Sequence, residues 1–269
     1  MNTGELWLRK NAKFMVWKEF LVGKLTKDVV IQMNGQLSET VALKKGIISW
    51  GIKGVLYKAY VGVVLMLSAG RWNWTSGWLY VVIFLLFDLA TAIVVIPRYP
   101  DLLIERTQSN PGIKSWDKKI MPLAAGIFPL ISWILAGLNQ RLGWTPVVGV
   151  QAQLIGLILT IMGHALIVWA MGANAFFSAL VRIQKERGHT VATGGPYRII
   201  RHPGYLGAMV FSISVPILLG SWWGVIPGVA AAVLYVVRTS MEDKTLKEEL
   251  PGYDEYTNDV KFRLIPGLW

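Results

Sequence analysis

Residues 52–69, 78–97, 120–138 and 147–171 form four predominantly apolar runs, each near the roughly 20 residues an α-helix needs to cross a bilayer. Two shorter runs follow at 205–219 and 222–237. Runs of this kind leave a chain few folds. Inside hydrocarbon every backbone N–H and C=O must find a partner, and a continuous apolar segment satisfies that condition as a helix. Composition points the same way, with 54% hydrophobic and 16% charged residues, where soluble domains carry about 25% charged residues. The reading is an all-α polytopic membrane protein.

The last two runs admit two arrangements. As one helix, residues 204–237 would reach about 50 Å, against a hydrocarbon core of about 30 Å. The sequence "GSWWG" at 220–224, with Pro216 and Pro227 to either side, offers a break. Positive charge selects between them. Lys and Arg number nine before residue 54, one in 70–77, five in 98–119, one in 139–146, five in 172–203, none in 220–224 and five in 238–269. Rich and poor segments alternate without exception. Six crossings, with the last two as a helical hairpin, put every rich segment on the cytosolic side. Both termini are then cytosolic, in the plasma membrane of a prokaryote or the endoplasmic reticulum of a eukaryote. This placement of basic loops accounts for the net charge of +11 without nucleic acid as a partner.

Three regions result. Residues 1–50 are an N-terminal segment in which Phe14, Trp17, Leu21 and Leu25 recur at helical spacing among Lys10, Lys13, Lys18, Lys24 and Lys27. That pattern suits a helix on the membrane surface or one packed on the protein itself. Residues 51–237 are the transmembrane domain, including a cytosolic loop at 172–204. Residues 238–269 are a cytosolic helix and tail, the helix ending at Pro251–Gly252. "MNTGELWLRKNAKF" shows no secretory signal peptide. The absence of cysteine excludes a disulfide framework and thiolate metal sites.

Polar side chains within the spans are few. Asp88 and His164 stand out, with Lys58 near a span end. Intramembrane ionisable groups point to function, but single ones also serve as helix–helix hydrogen bonds and lysine can snorkel. These three form no relay. His164, His189 and His202 lack metal-ligand spacing. No Walker A, GxSxG or GxGxxG motif occurs.

Chemistry therefore concentrates in two segments that the hairpin brings back to one side of the membrane. The first is "GANAFFSALVRIQKERGHTVATGGPYRIIRHPGYLG" (172–207) and the second is "RTSMEDKTL" (238–246). Arg238 and Glu242 share a helix face at i,i+4. Each feature has an ordinary explanation: topology for Arg198 and Arg201, helix initiation for Pro203, interfacial anchoring for Tyr197 and Tyr205. Their density in residues 194–207, two prolines and four glycines with three basic or histidine side chains, exceeds what topology needs.

The ordered set resembles the isoprenylcysteine carboxyl methyltransferase family and, more broadly, membrane phospholipid methyltransferases. The residues that carry the resemblance are Asn174, Gln184, His189 and Thr190, then Gly195 and Tyr197. Arg201, His202, Pro203, Tyr205 and Gly207 follow, and Arg238, Glu242 and Leu246 complete the set. The resemblance covers about 170–269, and "PDLLIERTQSNPGIKSWDKKI" upstream is similar to bacterial members. Asp243 departs from the pattern, where a second Glu is usual. The resemblance implies S-adenosylmethionine (SAM) as cofactor and no metal. It implies a cofactor pocket lined by Gln184, His189, Thr190, Val191, Ala192, Gly195, Tyr197, His202, Pro203, Gly204, Tyr205, Glu242 and Asp243. Arg238 and Arg201 would be catalytic, with Arg238 and Asn174 against a lipidic or prenylated acceptor drawn from the bilayer. A carboxylate acceptor is already ionised near neutral pH and needs no general base. An amine acceptor, as in phospholipid N-methylation, would need one, with His202 or Glu242 as candidates. An NADPH-dependent reductase of the steroid-reductase type and a non-enzymatic membrane protein are the other readings.

Overall fold

A computed structural model of the chain describes residues 3–107, 111–144 and 146–269, with side chains from residue 40 onward and at residues 24 and 36–38. Among the described residues the regular structure is helical throughout: α1 (Thr3–Ala69), α2 (Thr75–Val95), α3 (Pro100–Glu105), α4 (Asp117–Pro122), α5 (Phe128–Leu142), α6 (Val150–Gly172), α7 (Pro203–Leu218), α8 (Val225–Glu249) and α9 (Tyr253–Asp259). The chain separates into two compact units, residues 1–46 and 47–269. The backbone of the first unit is helical from residue 3. The apolar and basic faces expected around Phe14, Trp17, Leu21 and Leu25 lie outside the described side chains. Helix α1 crosses the boundary expected at residue 50 without interruption.

Five stretches are long and apolar enough to cross a membrane: Gln36–Ala69, Thr75–Val95, Asp117–Leu142, Val150–Gly172 and Val225–Glu249. The third comprises α4 and α5 with a π-helical turn, Leu123–Ile127, directly after Pro122. Proline removes one helical hydrogen bond, and a widened turn is a usual way to absorb the mismatch. The fifth apolar run, 205–219, becomes α7. At 16 residues it extends about 24 Å, short of the hydrocarbon thickness.

The hairpin is present, because α7 and α8 pack along their lengths and residues 219–224 turn the chain between them. Gly220 adopts a φ of 79°, open to glycine and strained for other residues. Helix α5 holds the turn from outside. Ser132 Oγ donates to the Gly224 carbonyl at 2.9 Å, and Asn139 Nδ2 donates to the Gly220 carbonyl at 3.1 Å.

Packing of α6 on α7 is close enough that backbones nearly touch. A Cβ at Gly207 would fall 2.5 Å from the Gly163 carbonyl oxygen, and one at Gly163 would fall 2.7 Å from that of Gly207. Small residues at such crossings let helices gain dispersion contact where lipid supplies no hydrophobic drive. Thr160 Oγ1 and Ser214 Oγ share a buried hydrogen bond of 2.9 Å across the same pair. The second unit's main core joins Val61, Leu65 and Met66 of α1 to Tyr80, Trp133, Val215 and Leu218.

Helix α8 runs through residue 238 unbroken and ends at Glu249, before Pro251 and Gly252. The tail then returns to the 194–207 loop. Arg201 N donates to the Phe262 carbonyl and His202 N to the Arg263 carbonyl, both at 2.9 Å. A small cluster of Leu250, Tyr253, Tyr256 and Val260 packs against Ile183, Val191 and Leu246.

Candidate active site

The irregular chain between α6 and α7, the open end of the hairpin and helix α9 surround one cavity. Met121, Ile167, Ala208 and Tyr235, from four membrane helices, line one side. Leu246, Leu250, Tyr253 and Tyr256 line another.

Of the residues singled out from sequence, Asn174, His189, Val191, Ala192, Tyr197 and Arg201 line this cavity, as do His202, Gly204, Tyr205, Arg238 and Glu242. Gln184, Thr190, Gly195, Pro203 and Asp243 are not among the lining residues, and their contacts give them other work. Gln184 is fully buried; its Nε2 donates to the Phe176 carbonyl at 2.8 Å and its Oε1 accepts from Arg187. It braces the loop so that Phe176 stacks on His189, ring centres 4.5 Å apart. Thr190 is exposed to solvent. Gly195 has a φ of 55° and abuts Trp169 and Ala173. Pro203 opens α7 at its first position, where a missing N–H costs nothing.

Asp243 turns away from the cavity into a buried network. Its carboxylate accepts from Arg201 Nε at 2.8 Å and Nη2 at 3.2 Å, from Arg263 Nε at 2.9 Å and from the Tyr253 hydroxyl at 3.0 Å. His202 Nε2 lies 3.3 Å from the same carboxylate. The remaining donors of Arg201 go mostly to the tail, since Nη1 reaches the Val260 and Lys261 carbonyls at 2.9 and 3.0 Å. A guanidinium has five N–H donors, so Arg201 has one left for the cavity. This geometry makes Arg201 and Asp243 a joint between loop, α8, α9 and tail.

Arg238 differs from its expected state. Its Nε and Nη2 already form a bidentate pair with Asp117 at 2.7 and 2.8 Å, and Nη2 also donates to the Ala179 carbonyl at 2.9 Å. Asp117 is fully buried and accepts the Val181 N–H at 2.6 Å as well. The fork that would grip a ligand carboxylate is occupied by the protein. What faces outward is Nη1 and the face of the guanidinium, whose Cζ stands 4.9 Å from the centre of the Tyr205 ring.

Tyr205 also stacks on His202 with rings nearly parallel, and its hydroxyl donates to Glu242 Oε2. Glu242 forms no ion pair among the described residues. It lines the cavity as a carboxylate whose charge is not neutralised by a neighbouring side chain in contact. Tyr197 is held by Asn174 Nδ2 at 3.2 Å. Burial raises the Tyr197 pKa, and burial with the nearby Asp243 charge raises that of Tyr253, so both hydroxyls stay protonated donors. His189 is driven the other way. Burial, then the charges of Arg182 and Arg187, lower its pKa to about 4, which keeps the ring neutral. A Cβ on Gly204 would come within 2.5 Å of the Phe177 ring, so only glycine allows this close approach.

Sequence reasoning missed several cavity residues. Tyr253 and Tyr256 follow the Pro251–Gly252 break, and their i,i+3 spacing on a short helix was the available signal. Arg106, from "PDLLIERTQSNPGIKSWDKKI", lines the cavity but carries no sequence mark that separates it from the three other basic residues of that segment.

Comparison with known proteins bears on the same region. The family model described as the isoprenylcysteine carboxyl methyltransferase family matches residues 155–248, from within α6 to the end of α8. The chain is similar to protein-S-isoprenylcysteine O-methyltransferase of Rattus norvegicus, 30% identical over 214 residues that cover 77% of this chain and 69% of the rat protein. The Mus musculus protein of the same name is 29% identical over the same shares. That of Homo sapiens is 28% identical over 178 residues, 64% of this chain and 60% of the human protein. With the rat protein matched at this identity over more than two thirds of its length, the chain belongs to the isoprenylcysteine carboxyl methyltransferase family.

Proposed function

We propose that this membrane methyltransferase takes its methyl group from SAM and places it on the carboxylate of an isoprenylated cysteine, giving a methyl ester. The observation that carries this reading is the lining of this cavity. It joins an apolar wall from membrane helices to a polar wall that holds an un-ion-paired carboxylate, Glu242, among tyrosines. A lipidic acceptor suits the first wall and a cationic, hydroxyl-bearing cofactor the second.

The residues present fit that cofactor by their chemistry. Glu242 offers acceptor oxygens for an amine or ribose hydroxyls. The faces of Tyr205 and Tyr197 suit a sulfonium through cation–π attraction. Gly204 permits close backbone approach. When bound, SAM supplies an electrophilic methyl: as the acceptor's oxygen–carbon bond forms the sulfur–carbon bond breaks, sulfur keeps the electron pair, and no proton moves.

What the chain contributes is position and exclusion of water. Arg238, fixed by Asp117, keeps its Nη1 donors and ring-facing guanidinium at the cavity without having to bind the acceptor through its fork. The Asp243 network locks His202 and, through ring stacking, Tyr205. We further propose that both termini face the cytosol, because basic segments alternate strictly along the chain.

Calorimetry on detergent-purified protein with SAM, S-adenosylhomocysteine and NADPH tests the cofactor. Micromolar binding of the adenosyl ligands, weakened about ten- to a hundredfold in Glu242→Gln, is expected from loss of hydrogen bonds to a charged group. Binding of NADPH alone would replace this reading with a reductase. Label transferred from methyl-labelled SAM to a farnesylated cysteine should be released as methanol by alkali. Label that resists alkali would indicate N-methylation instead.

A further inference from the structure

Three of the five Arg and Glu side chains that line the cavity are paired by the protein itself. Arg182 is held by Glu105 at 2.8 Å and Glu186 at 2.7 Å, Arg201 by Asp243 and Arg238 by Asp117. Two are left without an ion pair among the described residues. One is Glu242 and the other is Arg106. Arg106 follows α3 and donates through Nη1 to the Phe177 carbonyl at 3.1 Å, with its Cζ 5.4 Å from the Phe177 ring centre. Its Nε and Nη2 have no partner among the described residues.

A half-buried guanidinium without a counter-anion is costly, because burial penalises charge and one carbonyl with one ring face offsets only part of the penalty. Here a second cation adds to it. Burial and then the Arg238 charge lower the Arg106 pKa to about 10, so it remains charged at neutral pH. The two guanidiniums grip one short stretch of backbone, Arg106 at the Phe177 carbonyl and Arg238 at the Ala179 carbonyl. The charged and titratable groups that act on Arg106 are Arg238, Tyr205 and Tyr235, all from the hairpin helices and none from the α9 side of the cavity. Met121, Ile167 and Tyr235 line the cavity on that membrane side. The arrangement is one unpaired guanidinium, Arg106, beside an Arg238–Asp117 ion pair on the membrane side of the cavity.

We propose that Arg106 binds the acceptor's carboxylate and selects an anionic acceptor over an amine. This assignment rests on the methyl-transfer reading for the identity of the acceptor. Arg106 supplies the planar pair of donors that Arg238 has spent on Asp117. A product carrying a quaternary ammonium would lie against the unpaired Arg106 guanidinium, whereas esterification removes the negative charge that bound the substrate and so favours release.

The test compares binding of farnesylated N-acetylcysteine with that of its primary carboxamide, by calorimetry in detergent, with and without S-adenosylhomocysteine. Wild type is expected to prefer the acid by about ten- to a hundredfold. Arg106→Gln should lose that preference while S-adenosylhomocysteine affinity stays within about twofold, and Arg106→Lys should keep part of the preference by charge alone. Retained adenosyl binding reports that the variant is folded, and Arg106→Lys covers the case in which the Gln variant is not. An Arg106→Gln protein that still prefers the acid overturns the proposal. So does one that instead loses S-adenosylhomocysteine, which would give Arg106 to the cofactor's carboxylate. A wild type that selects the acid through Arg106 yet binds no adenosyl ligand would leave the anion site standing and remove the methyl-transfer reading.

Discussion

Two places in this protein hold charge away from water, and they are finished differently. Between α1 and α2, Lys58 Nζ pairs with Asp88 at 2.6 Å and lies 4.5 Å from the centre of the Phe84 ring. His164 nearby stacks on Phe87 at 3.8 Å, meets Phe211 edge-on at 4.1 Å and shares a hydrogen bond with the Thr160 carbonyl through Nδ1. Every charge there has its partner and aromatic rings close the rest. Around the cavity, by contrast, three arginines are matched to carboxylates while one carboxylate, Glu242, and one guanidinium, Arg106, are not. The difference teaches where to look for chemistry. Buried charge by itself marks either packing or function; incomplete pairing beside a cavity marks the place where a ligand completes it.

Removing single partners should expose the contrast. Asp243 gathers two arginines, a tyrosine and a histidine with its own side chain 1% exposed. Asp243→Ala strands those cations, and a loss of about 3–5 kcal/mol is expected, the usual cost of breaking a buried pair from one side. Thermal unfolding in detergent reads it. A variant within about 1 kcal/mol of wild type would deny the network its structural role. The span pair should be milder, because Lys58 and Asp88 form one ion pair where Asp243 holds several partners. Lys58→Met is expected to cost about 1–3 kcal/mol by leaving Asp88 without its donor. Adding Asp88→Leu should recover that loss and leave methyl transfer unchanged, since an apolar pair can replace an ionic one. Failure of the double variant to recover would mean that Lys58 and Asp88 do more than satisfy each other.

Much of this was legible from the chain. Apolar runs located the spans, and alternation of basic segments with "GSWWG" located the hairpin. Both signals are local or additive. The 172–207 and 238–246 segments were legible as a pair because a hairpin must return the chain to its starting side. What was not legible are the partners. Asp117 reads as one more charge in a basic segment, and nothing in its neighbourhood announces that it closes on Arg238, 121 positions away. Arg238, which the resemblance sets against the acceptor, has its fork taken in three dimensions. Gln184 belongs to the motif and Asp243 stands at a motif position where Glu is usual, yet both turn inward, to the loop and the tail respectively. Motif membership reports that a residue matters, while the direction of its side chain depends on segments the motif does not contain.

The smallest effect belongs to His189, which lies on the rim between the paired and unpaired regions. Its Nδ1 is 3.3 Å from the Gln184 N–H and accepts from it, which requires that nitrogen to be unprotonated. Its folded pKa of about 4 lies below the ordinary histidine value near 6.5. Between these values the unfolded chain binds the proton and the folded one does not, so falling pH favours unfolding. The contribution is fully present above about pH 6.5 and is lost progressively as pH falls toward 4. Partial exposure and solvent screening keep it modest. Glu186, whose pKa Arg182 lowers, also favours unfolding as pH falls, but only from the ordinary carboxylate value downward, and it acts alike in both proteins compared. Melting temperatures of the ligand-free protein across pH 4–7 should therefore fall less steeply for His189→Phe, which keeps the stack on Phe176 and removes the titration. Equal slopes for the two proteins would mean that His189 takes its proton in the folded state, and that the ring presents a cation to the cavity where a neutral acceptor is drawn here.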